Sequence, residues 1–179
     1  MVRNILAALP STSGGRERHS VNRVVEDAVE ARRPALERDG ILVSCSMAGD
    51  VPEIALDAPA LRHVVVALLD RAAVAIRAGS PSGQVDVATS VRAGAVLVTV
   101  GDSGRAAPGA VLDRLMDTLR DSPEPHAESD LQRSVVRESV ERQGGSLAVG
   151  HRPGGGTEFV VRLPIPAADA AAAPIARSG

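Results

Sequence analysis

The apolar, β-branched run Val96-Leu97-Val98-Thr99-Val100 ends abruptly in Gly101-Asp102-Ser103-Gly104. A buried strand that stops this way delivers a carboxylate to the rim of a sheet. Glycine at 104 lets backbone approach whatever Asp102 holds. A buried carboxylate selects for a matching donor, because leaving it unpaired is costly. The same four residues also fit a plainer role, an Asp that caps a turn. Other reactive side chains point nowhere in particular. Ser103 is not in a Gly-x-Ser-x-Gly elbow, and no Gly-rich Walker loop is present. His19, His63, His126 and His151 are scattered without metal-ligand spacing and read as surface or edge histidines. No catalytic residue and no metal site is assigned. Cys45 is the only cysteine, which excludes a disulfide framework and a cysteine-based zinc site. Alternation along Ile41-Leu42-Val43-Ser44-Cys45-Ser46 predicts that Cys45 shares a face with Ile41 and Val43 as a small buried hydrophobe.

The elements that must position Asp102 are legible around it. Ser20 caps a helix whose apolar stripe includes Val21, Val25, Ala28, Val29, Ala31 and Leu36, and Gly40 ends it. A strand is predicted over Ile41–Ala48, and Pro52–Leu56 reads as a short extended piece. Asp57 caps the next helix, with Pro59 in its first turn, and the apolar spacing carries that helix to about Arg77. Gln84–Val91 and Ala95–Val100 are strands joined through Arg92-Ala93-Gly94, a hairpin signal. A helix is predicted over Pro108–Arg120, a polar loop over Asp121–Ser129, and a third long helix over Leu131–Gln143, ended by Gly144-Gly145. Ser146–Val149 and Gly156–Pro164 form a closing hairpin. The fold class is therefore an α/β two-layer sandwich: one mixed, mostly antiparallel sheet of about five strands with three long helices on one face. Strand and helix do not alternate regularly, which argues against a doubly wound dinucleotide fold.

Composition narrows the partners. The chain has 179 residues, a net charge of −2 and a single aromatic residue, Phe159. Without a basic patch or stacking platform, a nucleic-acid partner is not expected. No apolar run approaches the roughly 18–20 residues of a membrane span, and Met1–Pro10 lacks the pattern of a signal peptide. Membrane association is not expected, and the expected compartment is the cytoplasm. Residues 1–18 read as a linker or the end of a dimerisation helix, 19–165 as the domain, and 166–179 as a disordered Ala-rich tail. No heptad pattern is long enough to assign an oligomeric state.

The element order, Gly101-Asp102-Ser103-Gly104, Gly144-Gly145-Ser146-Leu147 and Gly154-Gly155-Gly156-Thr157-Glu158-Phe159 together resemble the ATP-binding domain of sensor histidine kinases, the fold shared with gyrase, Hsp90 and MutL. The resemblance spans roughly residues 20–164 and implies an ATP pocket between helices and sheet. In the family, an Asp at the position of Asp102 accepts a hydrogen bond from the adenine amino group, and Gly104 matches as well. The family's next glycine is Ala106 here. The helix Leu61–Ala75 matches in apolar pattern but carries Ala67 and Arg71 where the family has Asn. The second of these Asn residues is the magnesium ligand. Magnesium demands oxygen donors, and a guanidinium has none. Asp70 is one helical step, about 100°, away from that direction. The family's glycine-rich lid is replaced by Glu128-Ser129-Asp130-Leu131-Gln132-Arg133, whose carboxylates repel phosphate.

The resemblance thus supports two main readings. One is a degenerate histidine-kinase-type domain, a pseudokinase that acts as a regulatory or protein-binding module in two-component-type signalling. It would have weak or no ATP binding and no metal, and would dock a response regulator or another kinase. The alternative is a functional ATP-binding catalytic domain, with Arg71 touching phosphate directly. A third reading, an anti-sigma-factor-like serine kinase, still needs the Asn and the lid. Candidate nucleotide-side residues are Asp102, Gly104, Arg71, Ala67 and Ala106.

Overall fold

The computed structural model describes residues 17–80, 82–104, 136–152 and 154–166. In chain order these form β1 (Glu17–Ser20), α1 (Val21–Arg38), β2 (Ile41–Ser46), β3 (Glu53–Leu56), α2 (Ala58–Arg77), β4 (Gly83–Arg92) and β5 (Ala95–Asp102). A helical segment at 136–141 follows, then β6 (Ser146–His151) and β7 (Thr157–Pro164). The predicted helix Pro108–Arg120, the loop Asp121–Ser129, the first residues of the third helix, Ala106 and both chain ends lie outside the described residues.

Both long helices start on a side-chain cap. Ser20 accepts from the N–H of Arg23 at 3.3 Å, and Asp57 from that of Ala60 at 2.9 Å. Each cap satisfies a backbone donor that has no intrahelical partner. Along α2 the buried residues are Leu61, Val64, Val65, Leu68, Leu69, Ala72, Ala73 and Ile76, an unbroken stripe at helical spacing. Along α1 they are Val21, Val25, Ala28, Val29 and Leu36, while Ala31 is exposed. Gly144, at φ 74°, lets the chain leave the 136–141 helix, and the next N–H, from Gly145, caps Val140 O at 3.0 Å.

The main sheet has five strands in the order β2-β4-β5-β7-β6. Only β2 and β4 run parallel, so the sheet is mixed and mostly antiparallel, as expected. Its inner face, carrying Ile41, Val85, Val87, Val96, Val98, Val100, Val161 and Leu163, forms one core with α1 and α2. On its outer face Leu42 is 68% exposed. β4 and β5 meet in a two-residue turn, Ala93-Gly94, with φ of 47° and 67°. Positive φ at both positions marks the turn type whose twist suits a hairpin.

Two further features differ from the sequence reading. Glu17 and Arg18 are not linker but part of β1, which pairs antiparallel with β3. These strands are four residues each and carry little pattern of their own. Cys45 is exposed, not buried. The alternation is real, since Ile41 is buried and Val43 half-buried, but the apolar cover tapers along this edge strand. The Arg33 guanidinium lies 4.0 Å from Cys45 Sγ. His63 is exposed, in line with its reading as a surface or edge histidine. Inside the domain, Thr89 donates to Asn22 Oδ1 at 2.7 Å and accepts from Ala48 N at 3.1 Å. Asn22 Nδ2 donates to Ala48 O at 2.8 Å, so this buried polar group is closed.

Candidate functional site

Asp102 is the last residue of β5 and only 1% exposed. It sits on the inner face because its pairing partner in β4 is the buried Val85. The N–H of Gly104 donates to Oδ1 at 2.8 Å, while Oδ2 is buried without a hydrogen-bond partner. Burial pushes the carboxyl group up from its ordinary range. The backbone N–H groups of Gly104 and Thr157, and the charges of Arg152 and Arg71, only partly oppose this. The result is a carboxyl with one oxygen committed and one open. A donor such as an exocyclic amino group would satisfy Oδ2, and an unsatisfied buried acceptor costs about 1–3 kcal/mol.

Three close approaches fix that carboxyl. A Cβ at Gly104 would lie 2.8 Å from the backbone carbon of Ala75 and 2.8 Å from Asp102 Oδ1. A Cβ at Gly156, where φ is +91°, would lie 1.9 Å from the backbone oxygen of Asp102. Here glycine is required on both counts, space and backbone angle. Ser103 closes the strand end, with its Oγ accepting from the N–H of Gln84 at 2.8 Å. Its work is structural.

On the facing helix, Ala67, Arg71 and Ala75 are spaced four apart and share one edge of α2. Ala75 is the residue against which Gly104 packs, so this edge is the one turned toward β5. Ala67 and Arg71 are half-buried, and the charge of Arg71 acts on Asp102. Asp70 points the other way, with Oδ2 2.5 Å from Arg32 Nη2 on α1. It is held by that pair and does not replace the carboxylate or amide oxygen that a metal would need beside Arg71. Among the described residues, no group of three or more His, Cys, Asp or Glu could hold a metal ion. The donor set therefore fits an adenine ring at Asp102. It does not fit magnesium at the α2 edge, because Arg71 has donors only and Ala67 has no polar atom.

Of the residues named from the sequence, Gly104 bonds to Asp102 and Arg71 acts on it by its charge, Ala67 lies one turn along α2 from Arg71, and Ala106 lies outside the described residues. Sequence reasoning missed Arg152, and gave Gly156 and Thr157 no role beyond a motif. For Gly156 a signal existed, three consecutive glycines before a strand, Gly154 to Gly156, all at positive φ. Arg152 and Asp86 pair across 66 residues with no pattern that ties them.

The mixed five-stranded sheet, the helices packed on its inner face and the buried carboxylate at a strand end define an α/β two-layer domain. Residues 56–167 match the family described as histidine kinase-, DNA gyrase B- and HSP90-like ATPases. That match covers more than half of the chain, and the chain belongs to this family. It is 29% identical over 147 residues to the C4-dicarboxylate transport sensor protein DctS of Rhodobacter capsulatus, covering 82% of this chain and 22% of that protein. The chain therefore spans about a fifth of that relative's length. Its fold is that of the catalytic domain of the histidine kinase ThkA, at a TM-score of 0.68 and 17% identity over 83% of this chain and 94% of that one. Full-length ShkA in complex with AMPPNP is similar too, with a TM-score of 0.68 and 20% identity over 83% of this chain and 30% of that one. No helix among the described residues is long and apolar enough to cross a membrane.

Proposed function

We propose that this histidine-kinase-type domain is degenerate and works as a cytoplasmic regulatory or protein-binding module in two-component-type signalling. Its partner is a response regulator or another kinase. The observation that carries the reading is the α2 edge beside Asp102. That edge holds Ala67 and a guanidinium, where the family resemblance puts two Asn residues, one of them the magnesium ligand. Each lost charged contact costs about 1.5–3 kcal/mol, or roughly tenfold or more in affinity. Glu128 and Asp130, in place of the family's lid glycines, add repulsion on the phosphate side.

A second reading rests on the open Oδ2 of Asp102, which suits adenine. The similarity to ShkA, which was solved with AMPPNP, is compatible with it. In this reading ATP binds without magnesium and Arg71 contacts phosphate directly. Calorimetric titration with ATP, with and without magnesium, separates the two. The proposal expects no micromolar binding that needs magnesium, and no autophosphorylation. Micromolar affinity that a chelator abolishes overturns it. Micromolar affinity indifferent to magnesium and lost in Arg71→Ala selects the second reading.

A further inference from the structure

Arg152 stands at the first position after β6, where the chain turns toward β7. Its backbone is tied into that turn twice: its N–H donates to Gly156 O at 3.2 Å, and its carbonyl accepts from Gly155 N at 3.0 Å. Its side chain runs back across the outer face of the sheet. A Cβ at Gly101 would lie 3.4 Å from Arg152 Cδ and 3.5 Å from Nε, so the stem lies directly over β5. The guanidinium ends on Asp86 of β4, the strand partner of Gly101. Asp86 is held ready for it by Gln84, whose Nε2 donates to Oδ1 at 2.5 Å. The side chains of Arg152 and Asp86 are only 29% and 28% exposed, which sets this pair apart from the more exposed helix-surface pairs. One side chain therefore straps the turn across β7 and β5 to β4. The part of the turn it anchors ends in Gly156, which presses on the carbonyl of Asp102.

We propose that the Arg152–Asp86 strap is a positioning device for Asp102, holding the glycine turn against β5 so that the carboxyl keeps one oxygen on the Gly104 and Thr157 side and the other open. This rests on the second reading above, in which Asp102 recognises adenine, but its test does not use nucleotide. Among the described residues, the charged groups acting on Asp102 are Arg71 from α2 and Arg152 from the turn. Arg71 stays constant in every variant below.

The experiment is carbon-13 NMR titration of the Asp102 carboxyl in the nucleotide-free protein, with amide hydrogen exchange read at Gly155, Gly156 and Thr157. Asp86→Asn is the deciding variant. If the strap positions Arg152, its loss frees the guanidinium from β5, so the Asp102 midpoint moves up and the turn amides exchange at least tenfold faster. If the strap does nothing, removal of a nearby negative charge moves the midpoint down and exchange is unchanged, which overturns the proposal. Arg152→Gln is expected to repeat the upward shift, and Arg152→Lys to restore most of it. An equal shift in Gln and Lys variants would mean that the guanidinium fork has no positioning role. Absence of ATP binding would sink the nucleotide reading and leave this result standing.

Discussion

At the end of β5, Asp102 is 1% exposed, and two glycine backbones close on it within distances that no side chain could occupy. Across from it, Ala67 and Arg71 sit half-buried on a helix edge, off the apolar stripe that holds α2 to the sheet. The first region is welded into the fold: Asp102, Gly104 and Gly156 fill each other's space, and changing one disturbs packing. The second lies at the margin of the core, so a change there opens or fills no core space, although the charge of Arg71 acts on Asp102. A chain can therefore lose its metal-binding edge while its base-recognising corner stays in place for reasons of folding alone. An intact Asp102 corner alone is therefore weak support for nucleotide binding, and the α2 edge is where the proposed loss is tested.

The harshest way to break this comparison is Gly156→Ala. The added Cβ would overlap the Asp102 carbonyl at 1.9 Å, on backbone at φ +91°. Strain and overpacking of this kind each cost about 1–3 kcal/mol, so a loss of roughly 2–4 kcal/mol is expected in urea unfolding. A loss near zero would mean that the corner is not part of the packed fold. The opposite test is applied to the edge. Ala67→Asn together with Arg71→Asn supplies two amide oxygens on that edge of α2. Stability is expected to fall by only about 0.5 kcal/mol per Asn, from helix propensity. Magnesium-dependent ATP affinity, read by calorimetry, is expected to rise at least tenfold. If it does not, the α2 edge is not the cause of the proposed loss, and the stretch with Glu128 and Asp130 is the next place to change.

What could be read from the chain follows the same division. The α2 helix was legible because its cap, its Pro in the first turn and eight apolar positions all say the same thing. The hairpin at Ala93-Gly94 and the strand ending in Asp102 were legible because turn chemistry and strand pattern agree. The direction of Asp70 followed from helical geometry, but its partner Arg32, 38 residues away, did not. The β1–β3 pair and the Arg152–Asp86 strap are contacts between distant short segments, and no local periodicity encodes them. Cys45 shows the limit of alternation. It tells which face a residue takes but not how far along an edge strand the core reaches.

The smallest expected effect makes the finest cut. Ala93 holds φ 47° in a turn that favours Asn-Gly, and a non-glycine residue there carries about 1 kcal/mol of steric cost that Asn tolerates better. Ala93→Asn is expected to stabilise the domain by about 0.5–1 kcal/mol in urea unfolding. This turn and Asp102 lie at opposite ends of the same two strands, with Arg92 paired to Ala95 at one end and Val85 to Asp102 at the other. The substitution touches nothing near the site, so it can reach the Gly104 amide only through global stability. If the corner opens only when the whole domain unfolds, exchange of that amide slows by the matching factor, roughly two- to fivefold. If the corner opens on its own, the rate stays where it was. The first outcome makes Asp102 and its glycines part of the folding core. The second would return them to the same class as the α2 edge, and the contrast between the two regions would dissolve.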